Sequence, residues 1–369
     1  MYNLSDYLHS KASRNKVPLS GTFELSPVCN FACKMCYVRR TPEQIKNDGK
    51  EIITWDKWLE LAKQCRDAGT LYLLLTGGEP FLYPGFKELY TELHKMGFIL
   101  YINSNGTLID EAAVEWLKKY APGRVNVTLY GASPETYERI CGNPKGFELA
   151  MDAIKMLTEA KIPVVINASM IPENECDLEK IIEIGKSLGL NTRMSTYMFP
   201  PMRREREDCD SRFTAEQSAQ MYMRKIKCLY SKEEYFEFLE RNAKGNTEED
   251  NDETWGTDTE FMRCRAGRSS FWVNWEGNMT ACGMMDFPMK TTPFTENFCD
   301  CWMKLTDSVR NAHVLKGCAG CKKRNNCNPC VAMIYGETGT VDEKAPYMCR
   351  LSECVSEIIK KELEELRDE

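Results

Sequence analysis

Three cysteines near the N-terminus stand at a spacing that suits a metal cluster. They are Cys29, Cys33 and Cys36 in the stretch VCNFACKMCYV, which holds no fourth cysteine. Four thiolates close a cubane [4Fe–4S] cluster, so three leave one iron without a protein ligand. An open coordination position is how a metal site admits a substrate. The triplet therefore indicates a cluster that binds something, although small apolar residues on one helix face, or a zinc site with a distant fourth ligand, would share this spacing.

A second group of cysteines lies toward the C-terminus. Ten of the eighteen cysteines fall between Cys264 and Cys354. Cys264 and Cys282 form a C-x12-G-x4-C pattern around Gly277, and Cys349 closes a later group. That group contains a C-x2-C-x5-C-x2-C pattern, made by Cys318, Cys321, Cys327 and Cys330. Thiolates in such pairs also bind zinc, but the short spacer between the two pairs is unusual for a zinc ribbon.

Composition narrows the classes of partner. The formal net charge of -7 argues against a surface that binds nucleic acid through its phosphates. The N-terminus lacks the apolar segment of a signal peptide, and no apolar run is long enough to cross a membrane. We therefore expect a cytoplasmic protein without a nucleic-acid or membrane partner, in which cysteines bind metal or do redox chemistry instead of forming disulfides.

The elements that must position the first three cysteines alternate between strand and helix. From Gly21 to about Tyr197 the sequence predicts about six β/α units, with Thr54 and Asp110 as helix caps and Gly69 as a helix end. This alternation predicts a parallel sheet with helices outside, either a partial barrel or an open doubly wound sheet. The three cysteines, GGEP and NSNG follow the first, second and third strands. Since chemistry gathers at the carboxyl ends of parallel strands, these segments are expected to converge.

Five parts follow from these patterns. We expect an N-terminal segment at 1–20, the β/α region at 21–213, a helical and acidic linker at 214–260, a cysteine-rich domain at 261–354 and a C-terminal helix at 355–369.

The order of these motifs resembles the radical S-adenosylmethionine (radical SAM) enzymes. Their motif is C-x3-C-x-Φ-C, and Met35 stands at the position that is usually aromatic. TGGEP after the next strand resembles the family's GGE motif. The resemblance implies a partial (β/α)6 TIM-like barrel in which SAM chelates the open iron. An electron from the cluster would then cleave SAM to a 5′-deoxyadenosyl radical, which abstracts a hydrogen atom from the substrate.

The same resemblance implies the SAM-binding residues. The glycines would allow close approach of the backbone, Glu79 would hold the SAM ammonium, the NSNG segment and Thr128 would face the ribose, and Arg139 would bind the SAM carboxylate. The full set is Met35, Gly77, Gly78, Glu79, Pro80, Ser104, Asn105, Thr128 and Arg139.

The C-terminal cysteines resemble the SPASM extension of radical SAM proteins, with x2 in place of x3 before Cys330. This implies two auxiliary [4Fe–4S] clusters and hence three clusters in all. The distal cluster would be bound by Cys318, Cys321, Cys327 and Cys349, and the proximal one by Cys264, Cys282 and Cys330. The proximal cluster would keep an open iron or recruit Cys299, Cys301 or Cys354.

The family includes anaerobic sulfatase-maturating enzymes and maturases of ribosomal peptides. The resemblance therefore implies an oxidoreductase that acts on a peptide or protein side chain, with a reducing partner such as flavodoxin or ferredoxin. The sulfatase maturases carry an aspartate base directly after the second cysteine of the SPASM pattern, whereas this chain has Gly283. Asp286 is the nearest acid and is the candidate catalytic base. A small-molecule dehydrogenase or cofactor-maturation enzyme is the alternative, and a non-enzymatic Fe–S or zinc protein is a third hypothesis.

Overall fold

Strands from both the β/α region and the cysteine-rich region join one sheet. The computed structural model describes residues 4–201, 211–243, 262, 264–318, 321, 327 and 330–368. In this part of the chain the strands are β1 (Ser20–Glu24), β2 (Tyr72–Thr76), β3 (Ile99–Ser104), β4 (Arg124–Thr128), β5 (Val164–Ser169), β6 (Asn191–Ser195), β7 (Ser270–Val273) and β8 (Met279–Thr280).

The strand order distinguishes between the two predicted architectures. The order is β6-β5-β4-β3-β2-β1-β7-β8, and every pair from β6 to β7 is parallel. A doubly wound sheet reverses its strand order at a switch point, whereas strands that follow one another in chain order are wound in one direction, as in a barrel. The sheet is therefore the wall of a partial barrel. The cysteine-rich region is built onto its edge, because β7 pairs with β1.

Helices cover the outer face of this sheet and extend beyond it. They are α1 (Leu4–Arg14), α2 (Pro42–Asn47), α3 (Trp55–Asp67), α4 (Phe86–Lys95), α5 (Glu111–Lys119), α6 (Pro134–Cys141), α7 (Gly146–Glu159), α8 (Leu178–Ser187), α9 (Ala215–Leu229), α10 (Lys232–Ala243), α11 (Phe298–Asn311), α12 (Val331–Thr338) and α13 (Pro346–Asp368). No helix within the described ranges has the length and apolar composition that a membrane span requires.

Local sequence signals account for most helix ends. The Asp110 side chain accepts a hydrogen bond from the Ala113 amide at 2.8 Å, which confirms the predicted cap of α5. Thr54 precedes α3, but its side chain makes no capping hydrogen bond. The C-terminal helix begins at Pro346 and not near 355, since proline favours the first turn of a helix.

The core lies between the sheet and its outer helices. Trp58 and Leu61 of α3 are buried against Phe23 and Leu75, which project from the outer face of β1 and β2. The inner face is polar instead. The Arg124 guanidinium donates to the Asn126 side chain at 2.8 Å, and Asn126 donates to the Asn103 side chain at 2.7 Å. A polar inner face leads to the carboxyl ends of the strands, where the candidate site lies.

Candidate active site

The cysteine loop, residues 26–40, follows β1 and is held by the end of α6. The backbone amides of Ala32 and Lys34 donate to the carbonyl oxygens of Cys141 and Ile140, at 3.0 and 3.2 Å. The last carbonyls of a helix lack partners within the helix, so the loop supplies them. This docking sets the position of the three cysteines relative to the barrel.

The two glycines of GGEP allow the loop after β2 to touch the cysteine loop. The Gly78 amide donates to the Ser26 carbonyl at 2.7 Å, and the Glu79 amide donates to the Val28 carbonyl at 2.9 Å. A Cβ atom on Gly78 would lie 2.2 Å from the Val28 oxygen, and one on Gly77 would lie 2.4 Å from the Ser26 oxygen. Gly77 also has a φ of +146°, which side chains disfavour. The glycines therefore let two loops pack backbone to backbone.

Glu79 is a buried carboxylate that ties the loops after β2 and β3 together. It accepts hydrogen bonds from the Ser104 hydroxyl at 2.9 Å, the Asn105 amide at 2.9 Å and the Phe81 amide at 3.1 Å. Burial raises the pKa of Glu79 to about 7, and the three donors oppose that shift. One carboxylate oxygen thus accepts two of these hydrogen bonds and the other accepts one.

Asn105 extends the network to the cysteine loop. Its side-chain amide donates to Asn30 at 2.9 Å and lies 3.7 Å from the Cys29 sulfur. The loops that follow the first three strands therefore meet, as the parallel sheet predicts. In this structure Ser104 and Asn105 hold neighbouring loops, and their contacts with a SAM ribose remain predictions.

The three thiols of the cysteine loop suit an iron–sulfur cluster by their chemistry. Burial raises the pKa of Cys29 to about 12, and the Cys33 and Cys36 thiols beside it add to the shift. Buried thiols of this kind become thiolates when a metal replaces their protons. The Cys33 sulfur lies 3.6 Å from that of Cys141. In the side-chain conformations of this structure, no three His, Cys, Asp or Glu side chains among the described residues are grouped so that they could hold a metal ion.

The remaining predicted SAM contacts lie around this loop. Met35 lines a cavity beside Cys36. Thr128 ends β4 opposite Asn167 of β5. Arg139 is exposed on α6, and its guanidinium donates to the Glu173 carbonyl at 2.8 Å. Their roles toward SAM remain predictions.

Two adjoining cavities open beside the cysteine loop. The inner cavity, of about 250 Å³, is lined by Met35, Cys36, Tyr197 and Phe199, among others. The outer cavity, of about 320 Å³, is more polar and is lined by Arg40, Asp48, Trp272, Asp286, Lys290 and Tyr335, among others. Tyr37 and Met284 line both cavities. A polar cavity and an apolar cavity beside Cys36 thus adjoin at these two residues.

The C-terminal thiols form two groups, and within each group the thiols lie close enough to affect one another's pKa. Burial raises the pKa of Cys282 to about 11, and its thiol neighbours are Cys330 and Cys264. Burial also raises the pKa of Cys327 to about 11, and its thiol neighbours are Cys349, Cys318 and Cys321. Each thiol lies near members of the ligand set to which the resemblance assigns it, and ligation itself remains a prediction.

The three spare cysteines lie in other surroundings. Cys301 lies on α11 and is fully buried in the core, and Cys299 neighbours Cys65. Cys354 is the electrostatic neighbour of Arg350 on α13. None of these three appears beside Cys264 or Cys282 within the described residues. Whether the proximal cluster keeps an open iron or recruits one of these cysteines stays a prediction.

The segment after Cys282 explains the missing aspartate. A Cβ atom on Gly283 would lie 2.6 Å from two ring atoms of Trp272, so the indole occupies the space of any side chain there. Asp286 is exposed at the outer cavity, where it accepts a hydrogen bond from the Tyr335 hydroxyl at 3.1 Å. It does not line the inner cavity. Its role as a base remains a prediction.

Sequence reasoning missed two residues that the fold brings to this site. Cys141 contacts Cys33 from α6, a helix that Ser133, Pro134 and Gly142 could have predicted through its cap, first turn and end. Tyr197 lines the inner cavity just beyond β6, and no local pattern marks it.

The family-level comparison matches residues 23–184 to the Radical SAM superfamily. Among curated relatives, the AdoMet-dependent heme synthase of Methanosarcina barkeri is 25% identical over 342 residues, which cover 88% of this chain and 94% of that protein. The sporulation killing factor maturation protein SkfB of Bacillus subtilis is 28% identical over 184 residues, which cover 49% of this chain and 43% of that protein. The match to SkfB thus spans less than half of its length.

Two solved structures share the fold over nearly the whole chain. Native anSMEcpe with bound AdoMet aligns with a TM-score of 0.68 at 16% identity, and the alignment covers 95% of this chain and 100% of that one. SuiB of Streptococcus suis bound to its precursor peptide SuiA aligns with a TM-score of 0.65 at 15% identity, covering 94% of this chain and 80% of that one. The family match over residues 23–184 identifies that part of the chain as a radical SAM domain, and proteins of this superfamily bind S-adenosylmethionine and a [4Fe–4S] cluster.

Proposed function

We propose that this enzyme oxidises a side chain of a peptide or protein. The observation that carries the proposal is the pair of adjoining cavities at the cysteine loop. A polar outer cavity and an apolar inner one suit an extended peptide that rests outside and inserts one side chain. The solved structures with the same fold include peptide-bound SuiB.

The cysteine loop would hold the cluster through Cys29, Cys33 and Cys36, and the neighbouring loops would hold SAM. When bound, the cluster and SAM supply a 5′-deoxyadenosyl radical that can remove hydrogen from an unactivated carbon. Glu79 would offer its remaining lone pairs to the SAM ammonium. Met35 and Phe199 line the inner cavity with apolar surface, which keeps water from the reacting carbon.

The C-terminal thiols would hold two auxiliary clusters that accept the electron left on the substrate. Cys282 directly precedes Gly283 and Met284, which lie at the two cavities. The proximal ligand set therefore stands next to the substrate cavities. A reducing partner such as flavodoxin or ferredoxin would supply the first electron.

A second candidate is the modification of a small molecule that carries carboxylates. The length of one alignment favours this candidate, because the alignment with the heme synthase relative covers 94% of that protein. Arg40 and Lys290 in the outer cavity would offer positive charge to such a substrate.

Two measurements test these functions in order. Anaerobic purification and reconstitution should give about twelve irons and twelve sulfides per chain, the content of three [4Fe–4S] clusters. About four irons with zinc would make the C-terminal thiols structural. The reconstituted enzyme, SAM and dithionite are then mixed either with a pool of short peptides in which each kind of side chain appears, or with an iron porphyrin that bears propionates.

Mass spectrometry follows 5′-deoxyadenosine and substrate products. A peptide that has lost two hydrogens supports the first candidate, and a modified porphyrin supports the second. SAM cleavage without a change in either substrate would refute both.

A further inference from the structure

Tyr197 connects the inner cavity to a buried carboxylate. It lies two residues beyond β6 and lines the cavity together with Met35 and Cys36. Its hydroxyl donates a hydrogen bond to a carboxylate oxygen of Glu337 at 2.8 Å. Burial, followed by this bond, raises the pKa of Tyr197 well above its usual range. The phenol is thus held neutral, with its proton directed at Glu337.

Arg212 holds the Glu337 carboxylate in place. Two guanidinium nitrogens of Arg212 donate to the two carboxylate oxygens at 2.8 and 2.9 Å. The Glu337 side chain is only 8% exposed, and the guanidinium also stacks on the Tyr347 ring at 4.5 Å. A paired, buried carboxylate of this kind is a fixed acceptor for the phenol proton.

The helix that carries Glu337 also begins at a predicted cluster ligand. Cys330 is the N-cap residue of α12, and Glu337 lies near the end of the same helix. If Cys330 binds the proximal cluster, the electron and the proton that leave a substrate would both move to groups on α12. Such pairing avoids building up net charge at a buried site.

We propose that Tyr197 is a catalytic residue that passes the substrate's proton to Glu337. This step rests on the proposed function. The substrate first loses a hydrogen atom to the 5′-deoxyadenosyl radical. The resulting carbon radical gives its unpaired electron to an auxiliary cluster and a proton to the Tyr197 oxygen, and the phenol proton moves to Glu337. The substrate thereby loses two hydrogens, the cluster gains one electron and the carboxylate gains one proton.

The surroundings favour this pair over Asp286. Asp286 is exposed at the outer cavity, whereas Tyr197 lines the chamber beside Cys36. Gly283 offers no side chain, because Trp272 occupies that space. The described walls of the inner cavity contain no aspartate, glutamate or histidine, and Tyr197 is a wall residue whose hydroxyl donates to the carboxylate that Arg212 holds.

The test compares Tyr197→Phe and Glu337→Gln with Tyr235→Phe. Tyr235 is a matched control, because its hydroxyl donates to Glu362 at 2.7 Å far from the cavities. Each enzyme is reconstituted and assayed in D₂O with the same peptide pool and iron porphyrin. Tyr197→Phe and Glu337→Gln should lower the ratio of oxidised product to 5′-deoxyadenosine about a hundredfold, a usual loss for acid–base catalysis, whereas Tyr235→Phe should leave that ratio unchanged. The substrate should instead gain deuterium, because its radical takes an electron from dithionite and a deuteron from the solvent.

A readout without turnover uses 3-fluorotyrosine at position 197. Glu337→Gln should shift its ¹⁹F resonance in the unreconstituted chain, and Tyr235→Phe should not. An unchanged ¹⁹F resonance in the Glu337→Gln variant would contradict the hydrogen bond between Tyr197 and Glu337. Full oxidation by Tyr197→Phe would overturn the relay while the proposed function stands. A wild type that oxidises neither probe would overturn the proposed function and the relay with it.

Discussion

The cysteine loop and the C-terminal thiols differ in how much of their geometry the polypeptide supplies. The cysteine loop is bonded to the end of α6, to the loop after β2 and, through Asn105, to the loop after β3. Of the C-terminal thiols, Cys264 and Cys330 are exposed. Among the described residues there, the Cys321 amide donates to the Cys318 carbonyl at 3.2 Å, and the Gly317 amide donates to the Asp342 carbonyl at 2.6 Å.

The difference matches what each region must do. A cluster with an open iron must present it to SAM at a defined place, so the protein arranges that loop beforehand. A cluster with four thiolate ligands, as predicted for the distal site, can supply much of its own geometry, because metal binding contributes folding free energy. We therefore expect iron to order the C-terminal thiols more than the cysteine loop.

Replacement of cysteines in the two regions should give the largest difference in SAM cleavage. Replacement of Cys29, Cys33 and Cys36 by serine should abolish SAM cleavage, with a loss of more than about a thousandfold, since no open iron remains. Replacement of Cys321 and Cys327 should leave SAM cleavage measurable and remove product oxidation. Chromatography of 5′-deoxyadenosine and product separates the two outcomes, and Cys228→Ser is the control. Equal loss of SAM cleavage in both variants would contradict the different roles assigned to the cysteine loop and the C-terminal thiols.

Iron removal tests the same contrast without mutation. In the chain freed of iron by a chelator, amide hydrogen exchange should speed up by at least about tenfold across 264–282 and 330–345, because local stability there depends on the clusters. Exchange at Ala32 and Lys34 should change far less, since both amides are bonded to α6. Mass spectrometry of the exchanged peptides gives the comparison, and uniform acceleration along the chain would contradict it.

The packing of the two loops can be broken with one methyl group. Gly78→Ala should destabilise the fold by about 1–3 kcal/mol, because the new Cβ atom collides with the Val28 carbonyl and backbone must move. Gly189→Ala is a control with open space around it and a φ of +65°. Urea unfolding gives the stabilities. Only Gly78→Ala should also reduce iron uptake by the cysteine loop, and equal uptake by both variants would contradict the role assigned to Gly78.

The smallest expected effect is on pH dependence. Burial raises the pKa of Glu79 from 4.5 to about 7, so its carboxyl is protonated below that pH. If Glu79 holds the SAM ammonium, SAM affinity should fall below pH 7 by up to about tenfold per pH unit. For folding the sign is opposite: the raised pKa contributes stability below pH 4.5 that is lost as pH rises through 7. Equilibrium dialysis of SAM between pH 6 and 8 measures the affinity, and Glu79→Gln should flatten the profile.

More of the fold than of the candidate site could be predicted from the sequence. Hydrophobic period and turn residues predict the six β/α units, and the observed strands differ from the predicted ones mainly at their ends. The pairing of β7 with β1 had no such signal, because a short strand far along the chain is recruited only by the open edge of the barrel.

What the sequence alone determined is the set of chemical groups and their order. The spacing of the cysteines and the position of GGEP after a strand are local properties, and thiol and carboxylate chemistry depends on residue type. The tertiary structure alone decided the burial of Glu79, the packing of Trp272 on Gly283 and the bond between Tyr197 and Glu337. Tyr197 and Glu337 are 140 residues apart in the chain, and their distance depends on how every element between them packs.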